Sequence, residues 1–276
     1  MNLAISNIAW PADLDDEALA LLPQAGFAGL EIAPTKLWSA PTEVGSSTLR
    51  EYRRKVEGLG LRVVALQSLL FAKPELQIFG DAGARHATAE YLKRMTAVAT
   101  ELGARSLVFG SPRNRNRGEL SKEAADEIAA RFFRGVGDAA DAHGVRIGIE
   151  ANPPDYGADY LTCATEAIDF VRELDHPGVR LHLCAGCMQL AGDDAAEAVR
   201  KGSDLLVHVH VSEPMLASVA NGASQHAVFA SALREVGYSG WTSIEMKTPE
   251  RFAFEDLIAS LDFTREVYGS SGDATP

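Results

Sequence analysis

The feature that most constrains this chain is an alternation. Short β-branched or apolar runs are separated, eight times over, by longer stretches of helical spacing. The short runs cover residues 3–9, 29–33, 62–68, 106–110, 146–150, 179–184, 205–211 and 241–246. The longer stretches cover 16–22, 47–58, 87–102, 122–143, 164–174, 194–201, 226–236 and 254–268. Many of them are rich in Ala, which favours helix on intrinsic propensity. Gly26, Gly60, Gly103, Gly144 and Gly237 each follow a helical stretch just ahead of the next strand, where a glycine can take the left-handed conformation that ends a helix. Over the first half of the chain they recur roughly every 35–40 residues, the length of a βα unit.

Eight strands, each followed by a helix, predict a closed (β/α)8 TIM barrel of the α/β class. The rival, an open doubly wound sheet, would usually carry a Gly-rich phosphate loop after its first strand. The segment there is Ser6-Asn7-Ile8-Ala9-Trp10-Pro11. No stretch reads as a linker. The 276 residues are therefore expected to form one barrel over 1–268, followed by a flexible tail over 269–276.

Charge and cysteine content narrow the function. Twenty-six Lys and Arg face 38 Asp and Glu, a formal net charge of −12. Neutralising phosphates needs a basic surface, so no nucleic-acid partner is expected. No apolar run reaches the roughly 18–20 residues that span a bilayer, and the N-terminus lacks the basic start and apolar core of a signal peptide. The expectation is a cytoplasmic protein with no membrane partner. Cys163, Cys184 and Cys187 are too few for a disulfide framework and suit a reducing compartment. A homo-oligomer, most simply a dimer, is the common symmetric outcome for such chains.

In such a barrel the active site lies on the loops that follow the strands. Four strand ends carry polar residues in phase: Gly148-Ile149-Glu150, His182-Leu183-Cys184, His208-Val209-His210 and Ser243-Ile244-Glu245. Strand side chains alternate, so the apolar middle residues suit the outer face under the helices. Glu150, Cys184, His210 and Glu245 are then predicted to converge inside the mouth, with Gly148 and Ser243 leaving room beneath. One Glu at a strand end is ordinarily solvated or salt-bridged, and one buried His is ordinarily a hydrogen-bonded core residue. Four such positions in register on consecutive strands point to a functional site.

Here the sequence resembles the xylose-isomerase-like superfamily of barrels, which includes sugar epimerases and isomerases, inosose dehydratases and apurinic endonucleases. The resemblance covers nearly the whole chain, from Ile5-Ser6-Asn7-Ile8-Ala9-Trp10 through Gly29-Leu30-Glu31-Ile32-Ala33-Pro34 to Trp241-Thr242-Ser243-Ile244-Glu245-Met246. In its ketose-3-epimerase branch a divalent metal is held by a Glu, an Asp, a His and a second Glu, and the two glutamates are the acid and base. By motif these fall on Glu150, His210 and Glu245. The departure is on strand six, where a pattern close to Leu-Asp-x-Gly-His is replaced by Leu183-Cys184-Ala185-Gly186-Cys187. Oxygen ligands suit Mn²⁺ or Mg²⁺, whereas a thiolate beside imidazole and carboxylate suits Zn²⁺ or another softer ion such as Co²⁺. Two readings stay open: Cys184 ligates and the metal preference has changed, or tight metal binding is lost. The C-x-x-C spacing also occurs in redox proteins, but that motif belongs at a helix start in a thioredoxin-like context, and the sequence reads it as coincidence.

The chemistry these residues suit is proton transfer α to a carbonyl. One carboxylate removes a proton to give an enediolate, a metal or hydrogen-bond donor stabilises the oxyanion, and the other carboxylate returns the proton. Without a metal, His210, His182 or Lys247 are the available electrophiles. The implied substrate is a small carbohydrate-like molecule, with sugar or cyclitol isomerase or epimerase as the leading reading. A dehydratase or lyase, including one cleaving C-glycosides, would begin with the same abstraction. A catalytically inactive carbohydrate-binding barrel is the third alternative. Apurinic endonuclease chemistry would need a multi-zinc cluster with more His and Asp ligands than these strand ends offer.

Further substrate contacts are expected from Trp10, by stacking on a sugar ring, and from Gln67, Arg113, Asn152, His182, His208, His226 and Lys247. Glu31 and Asn7 end strands as well. Arg113 belongs to the one concentrated basic stretch, Ser111 to Arg117, which otherwise reads as a solvated loop. His182 and His208, one layer deeper, would enlarge the polar interior or hydrogen-bond each other. After His210 the chain reads Ser212-Glu213-Pro214-Met215-Leu216, without the Arg that contacts substrate in ketose epimerases. A free ketohexose held in that family's manner is therefore not expected.

Overall fold

Each of the eight apolar runs finds a neighbour on both sides, and this closes the sheet. In the computed structural model, which describes residues 1–269, the strands are β1 (Asn2–Ser6), β2 (Gly29–Ile32), β3 (Arg62–Leu66), β4 (Ser106–Phe109), β5 (Arg146–Glu150), β6 (Val179–Cys184), β7 (Leu206–Ser212) and β8 (Trp241–Glu245). All pair in parallel in chain order, and β8 returns to β1 through Asn2↔Trp241 and Ala4↔Ser243. The surrounding helices are α1 (Asp15–Leu21), α2 (Pro34–Leu37), α3 (Ser46–Gly58), α4 (Ala82–Leu102), α5 (Lys122–Ala142), α6 (Ala164–Leu174), α7 (Ala185–Ala191), α8 (Ala195–Gly202), α9 (His226–Glu235) and α10 (Phe254–Tyr268). This is a single (β/α)8 barrel, as the alternation requires.

Strand alternation sorts the side chains into two environments. Ile149, Leu181, Leu183, Val209, Val211 and Ile244 point out beneath the helices and are no more than 2% exposed. Burying each contributes about 1.5–3 kcal/mol. The alternate residues point inward, which gives the barrel interior an unusual load of Glu, His and Ser.

Local chemistry adjusts the expected boundaries. β1 stops at Ser6 rather than running to residue 9, because Asn7 leaves the sheet and its side-chain oxygen accepts the Ala33 amide at 2.8 Å. α4 starts at Ala82, ahead of the expected residue 87, because the Asp81 carboxylate caps it by accepting the Ala84 amide at 2.8 Å. Between β6 and β7, where one helix over 194–201 was expected, there are two. α7 springs directly from β6 with Cys184 as its N-cap, and α8 follows. The five helix-exit glycines all have positive φ, between 65° and 88°. The expected tail beyond Gly269 lies outside the described residues. Among the described residues no helix is long and apolar enough to cross a membrane.

One contact of the outer layer leaves no freedom. α5 meets the turn into β6 backbone to backbone, and a Cβ on Gly178 would lie 2.0 Å from the Gly137 carbonyl oxygen. Gly178→Ala should therefore destabilise the fold by about 1–3 kcal/mol, through the backbone shift it forces. In urea unfolding this is read as a lower midpoint at unchanged slope.

Candidate active site

The polar residues predicted to meet do so, because closing the barrel brings the inward faces of β2, β5, β6, β7 and β8 together at one level. Register places Cys184 beside His210 and His210 beside Ser243, with His182 beside both Glu150 and His208. His210 is the hub. Its Nε2 lies 3.1 and 3.0 Å from the two carboxylate oxygens of Glu31, and its Nδ1 lies 3.1 Å from Glu245 Oε2 and 3.4 Å from Glu150 Oε1. Burial alone would pull the imidazole down, but Glu245 and Glu31 outweigh it and hold the ring well above its usual range. Burial raises Glu31, yet the adjacent His210 and His208 win and keep its carboxylate well below the usual value. Ser243 Oγ donates a further bond to Glu31 Oε2 at 2.6 Å.

The two strand-end glutamates differ in environment. Glu150 Oε2 accepts from Asn152 Nδ2 at 2.9 Å, and Oε1 lies 3.4 Å from His182 Nε2. Burial works against its ionised form, but His182 and His210 prevail and hold it below the ordinary carboxylate range. Glu245 is raised: burial dominates, reinforced by Glu150 and Glu31, and the attraction of His210 does not offset them. Asn152 is itself gripped from behind, its Oδ1 accepting from Arg115 Nη2 at 3.1 Å. That arginine is 1% exposed, and burial brings its guanidinium down to about 10. Gly110, after β4, is small for a reason: a Cβ there would stand 2.3 Å from Glu150 Oε2.

On β6 the Cys184 sulfur lies 3.0 Å from Ser212 Oγ and accepts the Cys187 amide at 3.4 Å. Burial alone would raise this thiol, but hydrogen bonds to Cys187 and His210 reverse the shift and lower it. Cys187 is driven well above the usual range, first by its hydrogen bond to Cys184 and then by burial. The C-x-x-C motif, read from sequence as a coincidence away from any helix start, does stand at one. Gly186 in the middle lets α7 press onto the end of β7, since a Cβ there would come within 2.7 Å of the Glu213 carbonyl carbon.

These side chains can hold a metal ion. Glu150 Oε1 and His210 Nδ1 are buried without a hydrogen-bond partner, a cost of about 1–3 kcal/mol each if nothing else meets them. Glu150, Cys184, His210 and Glu245 each offer one ligand atom within 4.8 Å of the others. Two carboxylates, an imidazole and a thiol fit a divalent cation of borderline softness. Glu31, His208 and His210 form a second close group below. There the 3.0–3.5 Å separations suit ring N–H groups facing a shared carboxylate.

Above this cluster opens a cavity of about 580 Å³. Gln67, Asn114, Asn152, Arg113 and Tyr156 give it polar walls, and Leu70, Phe71, Val108 and Leu216 give it apolar ones. Its rim is strained. Ser68, Ala72, Ser111 and Leu216, which line it, and the adjacent Met215 have φ between 47° and 59°. Each such residue costs of order 1–3 kcal/mol, and strain of this kind clusters at binding sites.

The expected substrate contacts divide. Gln67, Arg113 and Asn152 line the cavity. Trp10 does not: it is fully buried, its Nε1 donating to Asp15 Oδ1 at 3.0 Å, because the chain turns out of the sheet at Asn7 and carries the indole into the core. Lys247 is exposed outside the cavity lining; β8 ends at Glu245, so the inward alternation stops before it. His226 is buried away from the cavity between Glu213 Oε1, 2.8 Å from Nε2, and the Tyr268 hydroxyl, 2.7 Å from Nδ1. His182 and His208 lie beneath the floor and do not hydrogen-bond each other. Their rings are 5.5 Å apart, and each faces a carboxylate instead. Sequence reasoning passed over Glu31 as a principal residue, although Gly29 and Glu31 already share the inward phase of β2. It also passed over Arg115, whose setting in an Arg/Asn-rich loop gives no sign of burial.

A family model described as xylose isomerase-like TIM barrel matches residues 19–267. The chain is 25% identical to an L-ribulose 3-epimerase of Methylomonas sp. strain DH-1, over 87% of this chain and 81% of that one. It is 23% identical to a ketose 3-epimerase of Arthrobacter globiformis, over 96% and 88%. Among solved structures, a D-psicose 3-epimerase of Clostridium cellulolyticum H10 with D-tagatose superposes with a TM-score of 0.80 at 19% identity, covering 98% of this chain and all of that one.

The bracing role of Asn152 can be read as stability. Asn152→Ala leaves the Arg115 guanidinium and Glu150 Oε2 without their shared partner. It should cost about 1–3 kcal/mol in urea unfolding. An exposed substitution such as Lys122→Ala should stay within about 0.5 kcal/mol.

Proposed function

The chain belongs to the xylose isomerase-like TIM barrel family, and from that premise we propose that it is a sugar or polyol epimerase or isomerase working by proton transfer α to a carbonyl. The observation that carries this is the placement of Glu150 and Glu245 against the same edge of His210, 3.4 and 3.1 Å from its Nδ1, at the floor of the cavity. The epimerase relatives agree with it.

The residues divide the work by position. One of the two glutamates takes a proton from the carbon next to the substrate carbonyl, and the other returns it. Return on the opposite face of the same carbon epimerises; return to the adjacent carbon isomerises. Asn152, anchored by Arg115, keeps Glu150 aimed inward. Glu31 accepts from His210 Nε2 and so presents Nδ1 upward, a carboxylate–imidazole pairing that also orients metal ligands. Gln67, Asn152 and Arg113 are placed to bind substrate hydroxyls. The proposed metal ligands are Glu150, Cys184, His210 and Glu245. A divalent cation held there would supply positive charge beside the substrate carbonyl, which favours loss of the neighbouring proton. With Cys184 in place of a carboxylate we favour Zn²⁺ or Co²⁺ over Mn²⁺ or Mg²⁺.

Glu213 sits where the ketose epimerases are expected to carry their substrate-binding Arg region, and its carboxylate is spent on the Ala223 and Ser224 amides, Ser224 Oγ and His226. The proposed substrate is therefore a polyhydroxylated carbonyl compound other than a ketohexose held through that arginine. The net charge of −12 continues to argue against a nucleic acid.

Incubation with ketoses, aldoses and keto-cyclitols in deuterated water tests the reading, because exchange at the α-carbon is visible even without net conversion. Glu150→Gln and Glu245→Gln should each slow exchange by about 10²–10⁴-fold. Exchange at the parent rate in both variants would overturn the two-carboxylate scheme. For the metal, Cys184→Ala should weaken Zn²⁺ binding by at least about tenfold in competition with a chromogenic chelator. Cys184→Asp should shift preference towards Mn²⁺.

A further inference from the structure

We propose that Cys184 and Cys187 form a peroxide-sensitive dithiol, a modification site whose oxidation to a disulfide disables the metal-ligand set. The metal consequence rests on Cys184 being a ligand, as proposed above; the disulfide itself does not.

The geometry is particular to this pair. Cys184 is the last residue of β6 and the N-cap of α7, with extended backbone at φ −121° and ψ 119°. That conformation swings its side chain over the first turn, where the sulfur accepts the Cys187 amide at 3.4 Å. Cys187 follows three residues on, in the first turn of the same helix. An N-cap side chain lies over that turn on the side of the third helical residue, which is the spacing a short-range disulfide requires. Cys187 also lines the cavity, with its sulfur 3.6 Å from Asn152 Nδ2, so a small reagent entering the cavity meets it first. Cys163, the remaining thiol, starts α6 elsewhere and lines neither the cavity nor the ligand group.

The oxidant is a hydroperoxide, and the step balances. The sulfur of one cysteine of the pair attacks one peroxide oxygen, the O–O bond breaks, and the protein gains a sulfenic acid while one water leaves. The other sulfur then attacks the sulfenic sulfur, the S–O bond breaks, and the second water leaves with both thiol protons accounted for. Two electrons pass from the thiols to the peroxide. The Cys184 sulfur is afterwards part of a disulfide and no longer a thiolate donor. Glu150, His210 and Glu245 remain, one ligand short, and a thiol reductant restores the fourth.

The full chain, loaded with Zn²⁺, is treated with hydrogen peroxide and analysed by intact mass, non-reducing peptide mapping and a chromogenic chelator. The expected result is loss of two hydrogens in mass, a Cys184–Cys187 linkage, and Zn²⁺ affinity weaker by more than about tenfold, all reversed by reductant. Cys163→Ser should behave like the parent, and Cys187→Ser should form no linkage and keep its Zn²⁺ at the same dose. A parent protein that gives only sulfinic acid or Cys163-linked dimers overturns the site. A Cys184–Cys187 linkage that leaves Zn²⁺ affinity unchanged overturns the switch. If Cys184→Ala nonetheless weakens Zn²⁺ binding, the ligand assignment survives that failure. Deuterium exchange with sugars plays no part in these readouts, so an inactive protein does not confuse them.

Discussion

The contact between Glu31 and His210 holds the site together. Both groups are buried in the barrel, where an ion pair costs several kcal/mol of desolvation per charge and is tolerable only when further hydrogen bonds complete it. Ser243 supplies one at 2.6 Å, and His208 stands 3.5 Å away on the other side. Losing either member would strand a charge at a cost of about 3–5 kcal/mol. The pair also fixes which edge of the imidazole faces up. With Nε2 committed to Glu31, Nδ1 is left towards Glu245 and Glu150, and the disposition of the whole floor follows.

Around this fixed floor the loops are braced by buried polar groups. Arg115 holds Asn152, which holds Glu150. Glu213, His226 and Tyr268 form a second chain that ties the loop after β7 to α9 and α10. The positive φ values at Ser68, Ala72, Ser111, Met215 and Leu216 store strain between these braces. Such strain persists only where the surroundings over-determine the backbone, and here they shape a cavity wall.

Strand six is where this chain parts from the pattern its family resemblance implies. Where that pattern has a carboxylate this chain has Cys184, and the sulfur lies within 4.8 Å of ligand atoms of His210, Glu150 and Glu245. Replacing the usual His by Cys187 puts a second sulfur on the cavity wall. Together the changes set two thiols beside a cluster of carboxylates and an imidazole.

How much of this was legible depends on range. Strand phase is a local property with a period of two, so the inward placement of Glu150, Cys184, His210 and Glu245 followed from residue order as soon as eight βα units specified a closed barrel. The same rule failed where the strand had already ended. Trp10 lies beyond the turn at Asn7 and Lys247 beyond Glu245, so neither inherits the phase of its strand. Burial of Arg115, the pairing of His182 and His208 with carboxylates rather than with each other, and the position of Glu31 beneath His210 join residues as much as 179 apart in sequence. Those contacts depend on how far neighbouring strands are staggered when the sheet closes. The amino-acid sequence determined which side chains enter the barrel; only the closed tertiary structure decided which of them touch.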